Sequence, residues 1–305
     1  MKEFDLIVIG AGPAGISAGL YAASRGKNVA VIEKNIVGGI VGKVSTVTHY
    51  SGLIEHESGE TFAKRLESQA RQAGVKLVFE NVISVKLQSD VKVIMTDRDI
   101  YEAKAVIIAN GSTPRKLDIP GESELAGHGI GLNAAQDGAS YLGKNVYVVG
   151  GADGAIKEAI YLAQFANKLT VIHFEEKLGT IPEFLSKLNA LENVELRMHT
   201  RLTAVSGINH VDTLELTDVN TGMKEEIHDD GCGVFIYAGA TPNTDLYEEL
   251  PLTDGYIPVD EKMETAIKGV YAAGDIRVKQ VRQVATAVSD GAIAAINACV
   301  YLQTV

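Results

Sequence analysis

Apolar residues run unbroken through Leu6-Ile7-Val8-Ile9 and stop at a cluster of small residues that begins with Gly10. A short, β-branched run bounded by glycine predicts a strand buried on both faces. Residues 16–24 then carry a helical pattern, and 29–32 form a second buried run ending on Glu33. Farther on, Phe62, Ala63, Leu66 and Ala70 share one face of a helix expected over about 58–74. Residues 76–79 and 82–87 alternate as strands, 91–96 and 101–103 read as a hairpin-like pair, and 105–109 as a short buried strand. Strand patterns return at 192–205, 212–217, 234–237 and 269–275, and an alanine-rich helix over about 283–302 closes the chain.

Two punctuation points interrupt this pattern. Asn110-Gly111-Ser112-Thr113-Pro114 and Gly239-Ala240-Thr241-Pro242-Asn243-Thr244 both read as linkers. Between them the opening pattern repeats at a constant offset of 140 residues: Gly150 falls on Gly10, Ala152 on Gly12, Ala155 on Gly15 and Val171 on Val31. The chain therefore carries an internal duplication of a βαβ unit. Residues 245–305 are too few and too coil-rich at their start for an independent core, and are expected to fold back onto residues 1–112.

Composition narrows the function class. A net charge of −11 argues against nucleic acid or an anionic membrane as the main partner. No stretch reads as long and apolar enough to span a bilayer, and no signal-peptide pattern opens the chain, so a cytoplasmic location is expected. The two cysteines, Cys232 and Cys299, make no C-x-x-C pair, and the seven histidines are scattered, so neither a disulfide framework nor a metal site is expected.

The chemistry sits first in Gly10, Gly12 and Gly15, at G-x-G-x-x-G spacing between strand and helix. Gly10 permits the tight turn, Gly12 lets a pyrophosphate approach the backbone, and Gly15 lets helix and strand pack closely. The free N–H groups of the helix start then face the phosphates, and Glu33 stands where a carboxylate accepts the ribose hydroxyls of an adenosine. The glycine-dense loop 37–42 adds a backbone surface able to approach a flat ring.

Gly10 to Gly15, Gly38-Gly39, Tyr50-Ser51-Gly52, Asn110-Gly111-Ser112, residues 238–243, Ala273-Gly274-Asp275 and Arg282-Gln283-Val284 together carry a family likeness. Over almost its whole length the chain resembles the low-molecular-weight thioredoxin reductases, flavoproteins with two dinucleotide-binding domains. The resemblance implies an α/β fold of two Rossmann-like, three-layer ββα domains: a discontinuous FAD domain (1–112 and 245–305) and an inserted NAD(P)H-binding-like domain (113–244). It also implies a homodimer and places FAD contacts at Gly10, Gly12, Pro13, Ala14, Gly15, Glu33, Lys34, Gly39, Ile40, His49, Val82, Asn110, Gly111, Gly274, Asp275, Arg282, Gln283 and Val284. Asp275 is the expected partner of the ribityl chain, and the helix after Gln283 points its N-terminus at the flavin pyrimidine edge.

Three departures change the functional expectation. Asn133 and Gln136 stand where the family carries the two cysteines of its redox disulfide, and an amide cannot undergo thiol–disulfide exchange. His173-Phe174-Glu175-Glu176 replaces the arginines that clamp the 2′-phosphate of NADPH, so two carboxylates would repel that phosphate. His49 and Ile40 replace an asparagine and a glutamine near the flavin. Asp137 matches the family's acid beside the disulfide, a proton relay or else a loop-capping residue; His49 is a candidate for proton transfer or else a packed histidine. Arg277, Lys279 and Arg282 form a basic cluster, either a dock for an acidic carrier or a solvated face. The expected activity is a flavin-dependent oxidoreductase without disulfide or NADPH chemistry, exchanging electrons with a ferredoxin, a flavodoxin or a small acceptor. NADH-dependent flavin chemistry and a non-catalytic flavin-binding module are the alternatives.

Overall fold

The computed structural model describes residues 2–305, which divide into two compact units, 2–113 with 241–305 and 114–240. In chain order the first unit opens with β1 (Lys2–Ile9), α1 (Pro13–Ala23), β2 (Val29–Glu33), α2 (Gly59–Gln72), β3 (Lys76–Phe79), β4 (Val82–Lys86), β5 (Lys92–Thr96) and β6 (Ile100–Ile108). After the short β7 (Ser112–Pro114), the second unit contains β8 (Ile130–Gly131), α3 (Ala134–Asp137), β9 (Asn145–Val149), α4 (Asp153–Leu162), β10 (Lys168–Ile172) and α5 (Pro182–Asn189). It continues through β11 (Val194–Arg197), β12 (Thr200–Ser206), β13 (Thr213–Asp218), β14 (Lys224–His228) and β15 (Gly233–Ile236). Past β16 (Ala240–Pro242), the chain returns to the first unit with β17 (Val270–Ala272) and α6 (Val284–Tyr301).

Uninterrupted apolar strands mean two buried faces, and each unit supplies them. In the first, the seven-stranded sheet runs β3-β2-β1-β6-β5-β4, with β17 also paired to β6. Leu6, Val8, Val29, Val31, Ala105 and Ile107 point to one core, shared with Ala14, Ala18, Phe62, Leu66, Ala294 and Ala298 from the helices. Ile7, Ile9, Ala30, Ile32, Val106 and Ile108 point to the other, against Leu87, Ile94, Tyr101, Tyr247 and Ile257. The second unit repeats the scheme with the parallel sheet β11-β10-β9-β15-β8 and a separate three-stranded antiparallel sheet, β12-β13-β14. Val146 and Val148 face its helices, while Tyr147 and Val149 face the layer containing Leu202, Leu214 and Leu216. Each large side chain so buried contributes about 1.5–3 kcal/mol.

Local signals set the element ends. Pro13 occupies the first turn of α1, where its missing N–H costs nothing. Ser58 caps α2 by accepting from the Thr61 N–H at 3.2 Å, and Phe62, Ala63, Leu66 and Ala70 are its buried positions, as the periodicity predicts. The structure corrects other readings. β6 is one continuous strand rather than two: its first half takes β5 antiparallel and its second half takes β17 parallel. The expected 192–205 strand is split into β11 and β12 around His199, whose φ is +52°. α5 and β14 had no strong sequence signal.

The closing helix also overturns an expectation. α6 is long and apolar enough, by length and composition, to cross a membrane. Its inner face instead packs on α1: Ser17 Oγ donates to the Val288 carbonyl at 2.8 Å, and a Cβ on Gly291 would lie 2.1 Å from the Ala14 carbonyl oxygen. It is built as a core helix, in which glycine permits backbone contact.

Gly291→Val forces this contact apart and is expected to destabilise the chain by about 3 kcal/mol or more. Gly154→Ala, at an open helix position, should change stability by no more than about 0.5 kcal/mol. Urea unfolding of both variants checks the contrast; equal midpoints would contradict it.

Candidate functional site

β1 ends in a turn that glycine alone accommodates. Gly10 has φ +100°, and a Cβ there would meet the Ala109 carbonyl oxygen at 2.6 Å. A Cβ on Gly15 would lie 1.9 Å from the Gly10 carbonyl oxygen, so the first turn of α1 rests directly on the strand end. Gly12 differs, because nothing lies within 4 Å of its missing Cβ. The turn thus presents an open backbone surface at the one glycine expected to face a pyrophosphate.

Other segments converge on this turn. Gly38 donates its N–H to the Ala11 carbonyl at 2.9 Å, which brings Gly39 against Gly12. Glu33 accepts the Ala11 N–H through Oε2 and the Asn35 N–H through Oε1, both at 3.0 Å. From the C-terminal segment, Gly274 (φ +82°) sits against the Ala14 side chain, which puts Asp275 at the same place. Asp275 Oδ1 is buried and has no hydrogen-bond partner. Burial pushes its carboxyl above the usual range, against the opposing pull of Lys279 and Arg282. A buried carboxylate oxygen without a donor lacks an interaction that folded proteins normally supply. The hydroxyls of a ribityl chain are donors of the required kind, so the residues present fit FAD.

The remaining candidates are distributed more widely. Asn110 lies beside Gly10, but its amide is taken up internally: Nδ2 donates to the Asn243 carbonyl and Oδ1 accepts from Tyr247 Oη. Gly111 accepts the Asn243 N–H at 3.0 Å. Together these bonds stitch the end of β6 to the returning segment. Lys34, Ile40 and His49 are exposed, with His49 at φ +57°, and Val82 pairs with Thr96 in the β4-β5 hairpin. Arg282 lies 4.2 Å from the ring centroid of Tyr256. Gln283 precedes α6, its N–H donated to Thr286 Oγ1, and Val284 is the first helical residue.

Two of the three residues of the basic cluster are not a solvated face, while Arg282 is exposed. Arg277 and Lys279 both bind Asp290, at 2.6 and 2.7 Å, and the Lys279 side chain is only 5% exposed. The sequence signal for Asp290 is a lone charge inside an otherwise apolar helix.

In the second unit, Asn133 caps α3, its Oδ1 accepting from the Ala135 and Gln136 N–H groups. Asp137 Oδ2 accepts the Leu132 and Asn133 N–H groups at 2.7 and 3.0 Å. Both side chains therefore organise their own loop. The second glycine turn is lined differently from the first: the His173 ring lies so close to Gly151 that a Cβ there would be 2.5 Å from it. His173 Nε2 is 3.4 Å from Glu175 Oε2, and Asp153 Oδ1 holds Thr180 and Ile181. Phe174 is capped by the Arg201 guanidinium, 5.1 Å from its ring centroid. Both cysteines are buried, and burial pushes the Cys232 thiol up to about 12 and the Cys299 thiol upward.

Comparison with known proteins agrees with this geometry. A family model described as pyridine nucleotide-disulphide oxidoreductase matches residues 4–291. A 34.2 kDa protein in rubredoxin operon of Clostridium pasteurianum is 39% identical over 99% of this chain and 98% of its own length. A thioredoxin reductase of Peptoclostridium acidaminophilum is 37% identical over 98% and 97%. Among solved structures, Lactococcus lactis thioredoxin reductase (FR conformation) is similar at a TM-score of 0.95 and 31% identity, covering 99% of this chain and 100% of that one. A ferredoxin-flavin thioredoxin reductase of Clostridium acetobutylicum is similar at a TM-score of 0.55 and 29% identity, covering 100% of each chain.

Two glycine variants separate the fold from the ligand. Gly12→Ala should leave apoprotein stability within about 0.5 kcal/mol of the parent yet weaken FAD binding about tenfold or more. Gly15→Ala should lower both. FAD titration and thermal unfolding of the apoproteins check this; an unchanged FAD affinity in Gly12→Ala would contradict it.

Proposed function

The chain belongs to the pyridine nucleotide-disulphide oxidoreductase family, as an FAD-binding, flavin-dependent oxidoreductase of thioredoxin-reductase-like type, and on that premise we propose that it exchanges electrons with a partner other than NADPH and without a redox-active disulfide. The observation that carries this reading is the chemistry of loop 132–137. Asn133 and Gln136, the two residues that stand where the disulfide would, carry no thiol; Asn133 caps a helix, and Asp137 beside them binds two backbone N–H groups. The only sulfhydryls, Cys232 and Cys299, are buried and held in the neutral form, whereas exchange requires an accessible thiolate.

The residues after β10 support the second half. Glu175 and Glu176 bring negative charge where NADPH would bring its 2′-phosphate, and like charges there cost affinity. A ferredoxin- or flavodoxin-type carrier is then the partner. Two similar proteins support that choice: a relative in a rubredoxin operon, and a structural neighbour named a ferredoxin-flavin thioredoxin reductase. The engagement of Arg277 and Lys279 by Asp290 removes them as the docking surface for such a carrier. NADH is the second reading, favoured by the Glu175 carboxylate, which is 59% exposed and able to accept ribose hydroxyls. The working unit in this reading is a cytoplasmic homodimer.

FAD, once bound, supplies one- and two-electron transfer. The chain's own contribution is to seat the pyrophosphate on the Gly10–Gly15 turn, to offer Glu33 and Asp275 as hydroxyl acceptors, and to bury the strand ends beneath them.

Anaerobic titration of the flavin absorbance tests the donor. Reduced ferredoxin or flavodoxin should bleach it within the mixing time, while equimolar NADPH leaves it oxidised over minutes. Bleaching by NADH selects the second reading, and bleaching by dithionite alone selects a non-catalytic flavin-binding module. Rapid NADPH-driven reduction of thioredoxin would sink the proposal.

A further inference from the structure

Asp290 is the one charged residue in α6 and is 3% exposed. Its Oδ2 accepts from the Gly274 N–H at 3.1 Å, Arg277 Nε at 2.8 Å and Lys279 Nζ at 2.7 Å, and its Oδ1 from Arg277 Nη2 at 2.6 Å. Next to Gly274 stands Asp275, whose Oδ1 is buried without a partner. Lys279 is near enough to act on Asp275 electrostatically but makes no hydrogen bond to it. Two carboxylates therefore compete for the Lys279 ammonium, and Asp290 holds it.

That division is asymmetric for a geometric reason. Asp290 is fixed on a helix whose next residue, Gly291, is pressed against the Ala14 carbonyl, so its carboxylate cannot retreat. Asp275 sits in a single helical turn, Gly274–Ile276, beside the open glycine surface of Gly12. A buried carboxylate takes an available ammonium unless something stronger holds that group.

We propose that Asp290 is a positioning residue of the FAD site: it draws Lys279 away from Asp275 and fixes the Gly274 turn, leaving Asp275 Oδ1 open to a hydroxyl of the bound cofactor. Lys279 is thereby a restrained competitor rather than a ligand. The proposal rests on Asp275 meeting the cofactor, and Asp275→Asn tests that premise separately.

FAD titration of the apoproteins, followed by flavin fluorescence, gives the readout. Asp290→Asn keeps an acceptor for the Gly274 N–H but loses the charge that holds Lys279. The released ammonium pairs with Asp275, and FAD affinity should fall about tenfold or more. Removing the competitor as well, in Lys279→Met/Asp290→Asn, should restore affinity to within about threefold of the parent, and Lys279→Met alone should stay within the same range. A purely structural role for Asp290 would leave the double variant as weak as the single one, which overturns the proposal. So does an Asp290→Asn protein that binds FAD like the parent. Should Asp290→Asn not fold, Lys279→Met decides: a loss of about tenfold would make Lys279 a ligand and overturn the proposal. An Asp275→Asn protein with parental affinity would instead remove the premise.

Discussion

The start of α1 is held between two backbone contacts that no side chain could share. On one side Gly15 rests on the carbonyl of Gly10; on the other Gly291 of α6 rests on the carbonyl of Ala14. Packing at this distance is available only to glycine, and a methyl group at either place would need the backbone to move. The consequence reaches across the sequence. The same contacts that seat α1 on its strand bring residues from both chain ends to one turn, so that Gly12, Glu33 and Asp275 share a site although the last is separated from the first by most of the chain.

The two glycine turns show how one scaffold supports different chemistry. In the first, the space above Gly12 is open and an acceptor waits without a donor. In the second, a methyl group stands at Ala152, the His173 ring covers Gly151, and a carboxylate follows at Glu175. The strands beneath are alike, with alternate residues facing helices on one side and a second apolar core on the other in both units. Function is therefore decided by a few groups at the strand ends rather than by the shared frame.

Much of that frame was legible because it follows from periodicity. Leu6 to Ile9 read as doubly buried because no polar residue interrupts them, and Ser58 announced α2 because its hydroxyl can replace a missing helical acceptor. The unreadable parts depend on pairing between distant residues. Nothing local to Arg277 or Lys279 reveals that Asp290 lies within hydrogen-bond reach, so a buried ion cluster looked like a docking patch. The apolar length of α6 was likewise underestimated, and only its packing on α1 explains it. β6 was divided in two because its burial changes midway, from alternating to continuous, as its neighbour changes from β5 to β17.

The central claim is that the flavin is the chain's sole redox centre. A flavin accepts two electrons, and a redox-active disulfide accepts two more. Reductive titration of the purified, FAD-loaded protein with dithionite under argon counts them directly. The account predicts an end point at about two electrons per flavin with no new thiol detectable afterwards. An end point at about four, with two thiols appearing per chain, would contradict it.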